Sequence, residues 1–184
     1  MNNKISKDNL RKEVSSLKKN YTPQQLLEKS DEVFSVLELT GEFRKAKNIM
    51  VYNSLSDEVS TLAFINRWCG DKEFYLPVVK DDDLLFRKYT PCMEYQKSEL
   101  GISEPVGADF LEYHKVDMII VPGRAFDRKM NRMGRGKGYY DRFLPKLKAK
   151  KIGICFDFQL FENIPCEKND IRMDMIVSEN ELIW

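Results

Sequence analysis

Apolar residues first recur at helical spacing in a polar N-terminal stretch. Leu10, Val14 and Leu17 stand three or four apart among lysines and arginines, which predicts an amphipathic helix. Thr22 before Pro23 supplies an N-cap and then a proline at the first helical position, where its missing N–H costs nothing. A second helix follows, with Leu26, Leu27, Val33, Phe34 and Leu37 as its apolar stripe. The period then changes. Residues 48–52 (NIMVY), 73–79 (EFYLPVV), 84–89, 116–121 (VDMIIV), 152–156 (IGICF) and 175–178 are short runs of the kind that form strands. Pro122-Gly123 stops the VDMIIV run. Residues 59–69 predict a helix with Leu62, Ile65 and Trp68 inward, and residues 139–148 another.

Apolar strands separated by helices predict an α/β fold, a mostly parallel sheet covered on both faces in three layers. The 184 residues suit one domain, residues 1–184. Ligands in such sheets bind beyond the carboxyl ends of the strands, which directs attention to the loop after Val121.

Charge and cysteine usage narrow the function. The 30 basic and 29 acidic residues leave a net charge of +1, which argues against a general nucleic-acid or membrane-surface binder. Apolar runs fall well short of the ~18 residues a membrane helix needs, and the polar N-terminus lacks the apolar core of a signal peptide. Cys69, Cys92, Cys155 and Cys166 form no C-x-x-C pair and are expected to be reduced packing residues in a cytoplasmic protein. His114 is the sole histidine, so zinc ligation and a Ser-His-Asp relay are not expected. A monomer is the default expectation.

The candidate chemistry lies in residues 121–143, VPGRAFDRKMNRMGRGKGYYDRF. Gly134, Gly136 and Gly138 alternate just before the expected helix. Glycine allows close backbone approach to a ligand, and free N–H groups at a helix start favour an anion. Arg132, Arg135 and Lys137 add three positive charges. Together they suit a polyphosphate cradle; a solvated glycine loop is the plainer reading. It is not a P-loop, since Asn131 stands where the first glycine belongs and Gly138 where Ser or Thr should hold magnesium. The glycine spacing also fails the dinucleotide fingerprint. Asp141 in the first helical turn either complements the helix dipole or ligates magnesium beside the phosphates.

The 24 residues VPGRAFDRKMNRMGRGKGYYDRFL closely resemble the signature of the 5-formyltetrahydrofolate cyclo-ligase family, in which V-P-G-x-A-F-D leads into R-[LM]-G-x-G-x-G-Y-Y-D. Lys7-x-x-Leu10-Arg11 resembles that family's N-terminal K-x-x-[LM]-R. Residues 52–61 (YNSLSDEVST), 75–78 (YLPV), 101–105 (GISEP) and 169–174 (NDIRMD) resemble further elements of it. There are departures. Arg124 stands where relatives are often small or apolar, and relatives often have glycine near Met130.

The resemblance implies a fold related to the ribose-phosphate isomerase and CoA-transferase group. It implies conversion of 5-formyltetrahydrofolate and ATP, with Mg2+, into 5,10-methenyltetrahydrofolate, ADP and phosphate, the partners being small molecules. On that resemblance Lys7 and Arg11, four apart on one helical face, reach ATP. Arg132, Gly134, Arg135, Gly136, Lys137 and Gly138 hold its phosphates, with Arg135 and Lys137 catalytic. Asp141 and Asp170 hold magnesium, with Asp174 either a weaker candidate for the metal or a residue that caps or orients. Glu58 meets the pterin. Tyr139 and Tyr140 line the folate pocket, though adjacent helical positions are not expected to point the same way. Two rival readings share the loop: an ATP-dependent relative acting on another pterin or a thiamine-pathway compound, and a ligand-binding module without turnover.

Overall fold

A computed structural model describes residues 6–97 and 103–184; residues 101 and 102 of the GISEP element lie outside them. The chain opens with α1 (Lys7–Lys18), α2 (Pro23–Glu38) and the short α3 (Gly41–Lys45), then enters β1 (Asn48–Val51). Helix α4 (Leu62–Trp68) leads to β2 (Glu73–Lys80), β3 (Asp83–Lys88), β4 (Tyr95–Lys97) and β5 (Ser103–Pro105). Strand β6 (Met118–Pro122) is followed by β7 (Ala125–Asp127), β8 (Arg132–Met133), α5 (Tyr139–Phe143) and β9 (Lys150–Ile154). The chain closes with β10 (Leu160–Phe161), β11 (Met175–Val177) and β12 (Leu182–Ile183).

Seven strands form the main sheet in the order β12-β11-β9-β6-β1-β2-β3. Its central pairs β11/β9, β9/β6, β6/β1 and β1/β2 are parallel, and only β12 and β3 at the edges run antiparallel. The mostly parallel α/β architecture expected from the alternating elements is therefore present. Because side chains alternate along a strand, Ile49 and Val51 of β1 face one core while Met50 faces the other. Helices α2, α3 and α4 cover the first face through Phe34, Phe43 and Phe64, whose rings pack at 4.2 Å (Phe34 to Phe64) and 5.4 Å (Phe43 to Phe64). Phe143 of α5, with Leu144 and Leu147, covers the second.

Helix α2 starts as expected. Thr22 Oγ1 accepts from the Gln25 N–H and Gln25 Oε1 accepts from the Thr22 N–H, a reciprocal cap worth about 1 kcal/mol. Other expectations need correction. Leu27 and Leu62, placed inward by the sequence, are 51 % and 60 % exposed. The buried face of α2 runs through Ser30, Val33, Phe34 and Leu37, and Leu27 lies beyond its rim. The Thr61 hydroxyl donates outside the helix, to the Tyr52 carbonyl at 3.0 Å; α4 begins at Leu62 and buries Phe64 and Ile65. The helix expected over residues 139–148 is five residues long. A 3-10 turn, Leu144–Lys146, replaces its second half, because Pro145 cannot donate into an α-helical ladder.

A small second sheet, β10-β7-β8, was not foreseen. Its strands are two or three residues long, too short for a period to register. Leu10 and Val14 of α1 pack on Ala125 and Met133 of this sheet, which sets the N-terminal helix beside the glycine loop that follows β8. Asp127 at the end of β7 is buried and fully engaged. It accepts from the N–H groups of Lys129, Asn131 and Ile164 and from Asn131 Nδ2. That turn holds Met130 at φ +67°, a left-handed conformation natural to glycine.

Candidate active site

A cavity of about 1070 Å³ opens where the chain leaves β1 at Tyr52 and β6 at Pro122. The glycine loop, residues 134–138, runs from β8 into α5 along its wall. Gly136 and Gly138 have φ of +99° and +72°, which side chains rarely adopt. A Cβ on Gly136 would also stand 3.3 Å from the Arg11 guanidinium. Gly138 is the residue before α5, and no side chain caps that helix. The loop therefore presents backbone to the cavity.

Cations surround this loop in three different states. Lys137 is exposed, lines the cavity and has no carboxylate within 4 Å among the described residues. Arg11 reaches in from α1: its Nε donates to the Gly134 carbonyl at 3.2 Å and its second arm to Asp8 at 2.6 Å. Lys7, one turn earlier, lies 2.8 Å from Asp170 and 3.0 Å from Glu167. Burial pulls the Lys7 pKa down, but the hydrogen bonds to Asp170 and Glu167 prevail and raise it. Arg132 is only 4 % exposed. It lies under the loop with one arm on Asp141 at 2.9 Å and the other on the Pro122 carbonyl at 3.3 Å.

The two candidate metal carboxylates reach the same turn. Asp141 accepts from the Ile171 N–H at 3.2 Å as well as from Arg132. Asp170 accepts from Lys7 and from the Glu167 N–H at 2.8 Å. Both line the cavity beside the loop. Among the described residues no group of three or more His, Cys, Asp or Glu is spaced to hold an ion. Two hard carboxylates at a phosphate site nevertheless fit magnesium, which takes one or two carboxylates and completes its shell with phosphate and water. Asp174 lies apart: it accepts from the Lys151 N–H at 2.8 Å and so orients the start of β9.

A second part of the lining is acidic and aromatic. Glu58 is held at both oxygens, by the Arg135 guanidinium at 3.1 Å on one and by the Leu55 N–H at 3.1 Å on the other. Asp57 bridges Arg135 and Arg124. Burial works against the Asp57 charge, but Arg135, Arg124 and Lys18 outweigh it and hold its pKa below the ordinary carboxylate range. Tyr139 and Tyr140 both contribute to the cavity, and they pack against different neighbours rather than pointing the same way. The cavity wraps the first turn of α5. Tyr139 packs under Arg142 and Tyr140 under Arg132, and burial pushes the Tyr140 phenol far up.

Of the residues singled out for the site, all but Asp174 thus reach one cavity. The structure adds Tyr52, Asn53 and Glu104 to its lining. Glu104 sat in the GISEP element, where a lone glutamate among apolar neighbours was the only signal. Tyr52 carried none beyond the end of an apolar run.

The chain is similar to known proteins over most of its length. The family model described as the 5-formyltetrahydrofolate cyclo-ligase family matches residues 3–179. The 5-formyltetrahydrofolate cyclo-ligase of Haemophilus influenzae is 33 % identical over 185 residues, covering 95 % of this chain and 99 % of that protein. That of Escherichia coli is 31 % identical, covering 89 % and 94 %. The solved structure of 5,10-methenyltetrahydrofolate synthetase from Aquifex aeolicus superposes with a TM-score of 0.86 at 34 % identity, over 96 % of this chain and 91 % of that one. A synthetase from Mycoplasma pneumoniae shares the fold, with a TM-score of 0.74 at 21 % identity.

Proposed function

This chain belongs to the 5-formyltetrahydrofolate cyclo-ligase family, and from that premise we propose that it uses ATP to close 5-formyltetrahydrofolate to 5,10-methenyltetrahydrofolate, releasing ADP and phosphate. The formyl group on N5 is an amide, with a weakly electrophilic carbon and an oxygen that leaves poorly. Transfer of the γ-phosphoryl group to that oxygen breaks the bond to ADP and corrects both faults. N10 then attacks the formyl carbon and loses its proton, and the C–O bond breaks as phosphate departs. No enzyme nucleophile is needed, which suits a site without a histidine relay. Phosphoryl transfer depends on positioning and charge neutralisation.

Each role falls to a residue of this chain. The loop backbone at Gly134, Gly136 and Gly138 cradles the phosphates. Lys137 and Arg135 neutralise charge on the transferring group. Lys7 and Arg11 grip the nucleotide from α1. Arg132 acts through Asp141, which it orients. Asp141 and Asp170 would hold magnesium, which when bound neutralises phosphate charge. Tyr139 and Tyr140 offer aromatic faces to the pterin, and Glu58 a carboxylate. We further propose one catalytic domain, residues 1–184, acting as a cytoplasmic monomer on small molecules. The near-zero net charge supports the absence of a nucleic-acid partner, and among the described residues no helix is long and apolar enough to cross a membrane.

The observation that carries the reading is that the cationic glycine loop and the carboxylate-lined region share one cavity, with Arg135 joining them. The test is direct. Purified protein with 5-formyltetrahydrofolate and MgATP should develop the near-ultraviolet absorbance of methenyltetrahydrofolate, and controls lacking ATP or magnesium should not. Nucleotide binding without that absorbance would shift the reading to another substrate.

A further inference from the structure

Glu104 on β5 is 5 % exposed, yet it lines the cavity. Its Oε1 accepts from the Val79 N–H of β2 at 3.0 Å. Among the described residues that is its one hydrogen bond, and no cation pairs with it. A carboxylate withdrawn from water without a counter-charge is costly. Anchoring does not account for it. The residues on either side are already tied, since Asn53 Nδ2 donates to the Ser103 carbonyl and Arg87 to the Pro105 carbonyl, each at 2.8 Å. A glutamine would accept from Val79 equally well. The negative charge therefore has no use within the described protein.

Glu58 is in the opposite condition, with both oxygens engaged by Arg135 and Leu55. Of the two carboxylates in this part of the cavity, Glu104 has acceptor positions to spare: a carboxylate offers about four, and the Val79 bond uses one. A 2-amino-4-oxopteridine presents N3–H and the 2-amino group side by side, a guanidine-like edge that a carboxylate meets with two parallel hydrogen bonds. We propose that Glu104 accepts from this edge and so makes the site specific for 2-aminopteridines. The proposal rests on the cyclo-ligase reading and names which side chain recognises the substrate.

The test uses 5-formyltetrahydrofolate and its analogue with methyl in place of the 2-amino group, titrated calorimetrically without ATP. The wild-type protein should prefer the natural compound by about tenfold to a hundredfold, the range for a hydrogen bond to a charged group. Glu104→Gln keeps the Val79 bond but turns a donor towards the pterin. It should lose that preference and the matching affinity, with ATP affinity within about twofold of wild type. Glu58→Gln, at a carboxylate that meets another part of the pterin, should weaken both compounds alike and so keep the ratio between them. Loss of the preference in Glu58→Gln, its persistence in Glu104→Gln, or its absence from wild type would overturn the proposal. Should Glu104→Gln fail to fold, Glu104→Asp, which keeps the charge but withdraws it by one methylene, should show the same loss of preference, and a preference as strong as in wild type would overturn the proposal. A wild-type protein that shows the preference but makes no methenyltetrahydrofolate would sink the cyclo-ligase reading and leave Glu104 standing.

Discussion

Arg135 and Glu58 belong to different loops and meet across the cavity: Nε and one terminal nitrogen of Arg135 each stand 3.1 Å from the same Glu58 oxygen. Asp57 takes the guanidinium as well. An arriving triphosphate therefore competes with two carboxylates for this arginine. Removing Arg135 should weaken ATP more than folate, because the folate end loses only a neighbour of Glu58. We expect Arg135→Ala to lower kcat/KM for ATP by about tenfold or more and to change the folate KM less. Separate titrations of the two substrates check this; a larger loss on the folate side would make Arg135 a pterin-side residue.

Lys137 differs from the other cations of the loop in having no ion pair among the described residues. Lys137→Ala should cut turnover by well over tenfold while leaving the melting temperature within the range of an ordinary surface substitution. Near-normal turnover would remove it from the phosphate clamp.

Much of this was legible in the sequence, and the exceptions have physical causes. Residues 121–144 carry the loop, its cations and Asp141 in one continuous stretch, so their meeting needed no tertiary knowledge. The five parallel strands announced themselves because both faces are covered, which makes each an apolar run. Helix phase was less legible. Leu62 is apolar but exposed because α4 turns Phe64 and Ile65 to the core instead. The partners of the site residues were not legible at all. Nothing in sequence joins Arg135 to Asp57, 78 positions away, or Lys7 to Asp170, 163 positions away. Met130 is intermediate: a family pattern with glycine nearby hinted at the left-handed turn that the structure contains.

Asp57 gives a pH signature. Its folded pKa lies below the ordinary value of 3.8, so its pairing contributes stability that is fully present above that value and is lost as pH falls through the folded pKa. Wild type should therefore exceed Asp57→Asn by a constant margin from neutral pH down to about pH 5, and the margin should close in stronger acid. Denaturant titrations at stepped pH would show it; a margin that did not narrow in acid would mean that the charge is not its source.

Asp141 is proposed to do two things at once, and the structure allows them to be separated. Its carboxylate neutralises Arg132, which is buried under the loop, and it faces the cavity beside the phosphate site. Asn at this position retains an acceptor for the Ile171 N–H but leaves the guanidinium without a counter-charge. Breaking a buried pair from one side costs about 3 kcal/mol, so Asp141→Asn should unfold at clearly lower denaturant. If the carboxylate also ligates magnesium, the variant should need more magnesium for half-maximal turnover, measured at a temperature where it is fully folded. The paired variant Asp170→Asn should raise the magnesium requirement with a smaller stability loss, because Lys7 keeps Glu167 as a partner at 3.0 Å. An Asp141→Asn enzyme with lower stability and unchanged magnesium dependence would leave Asp141 as the holder of Arg132 alone and move the metal site elsewhere.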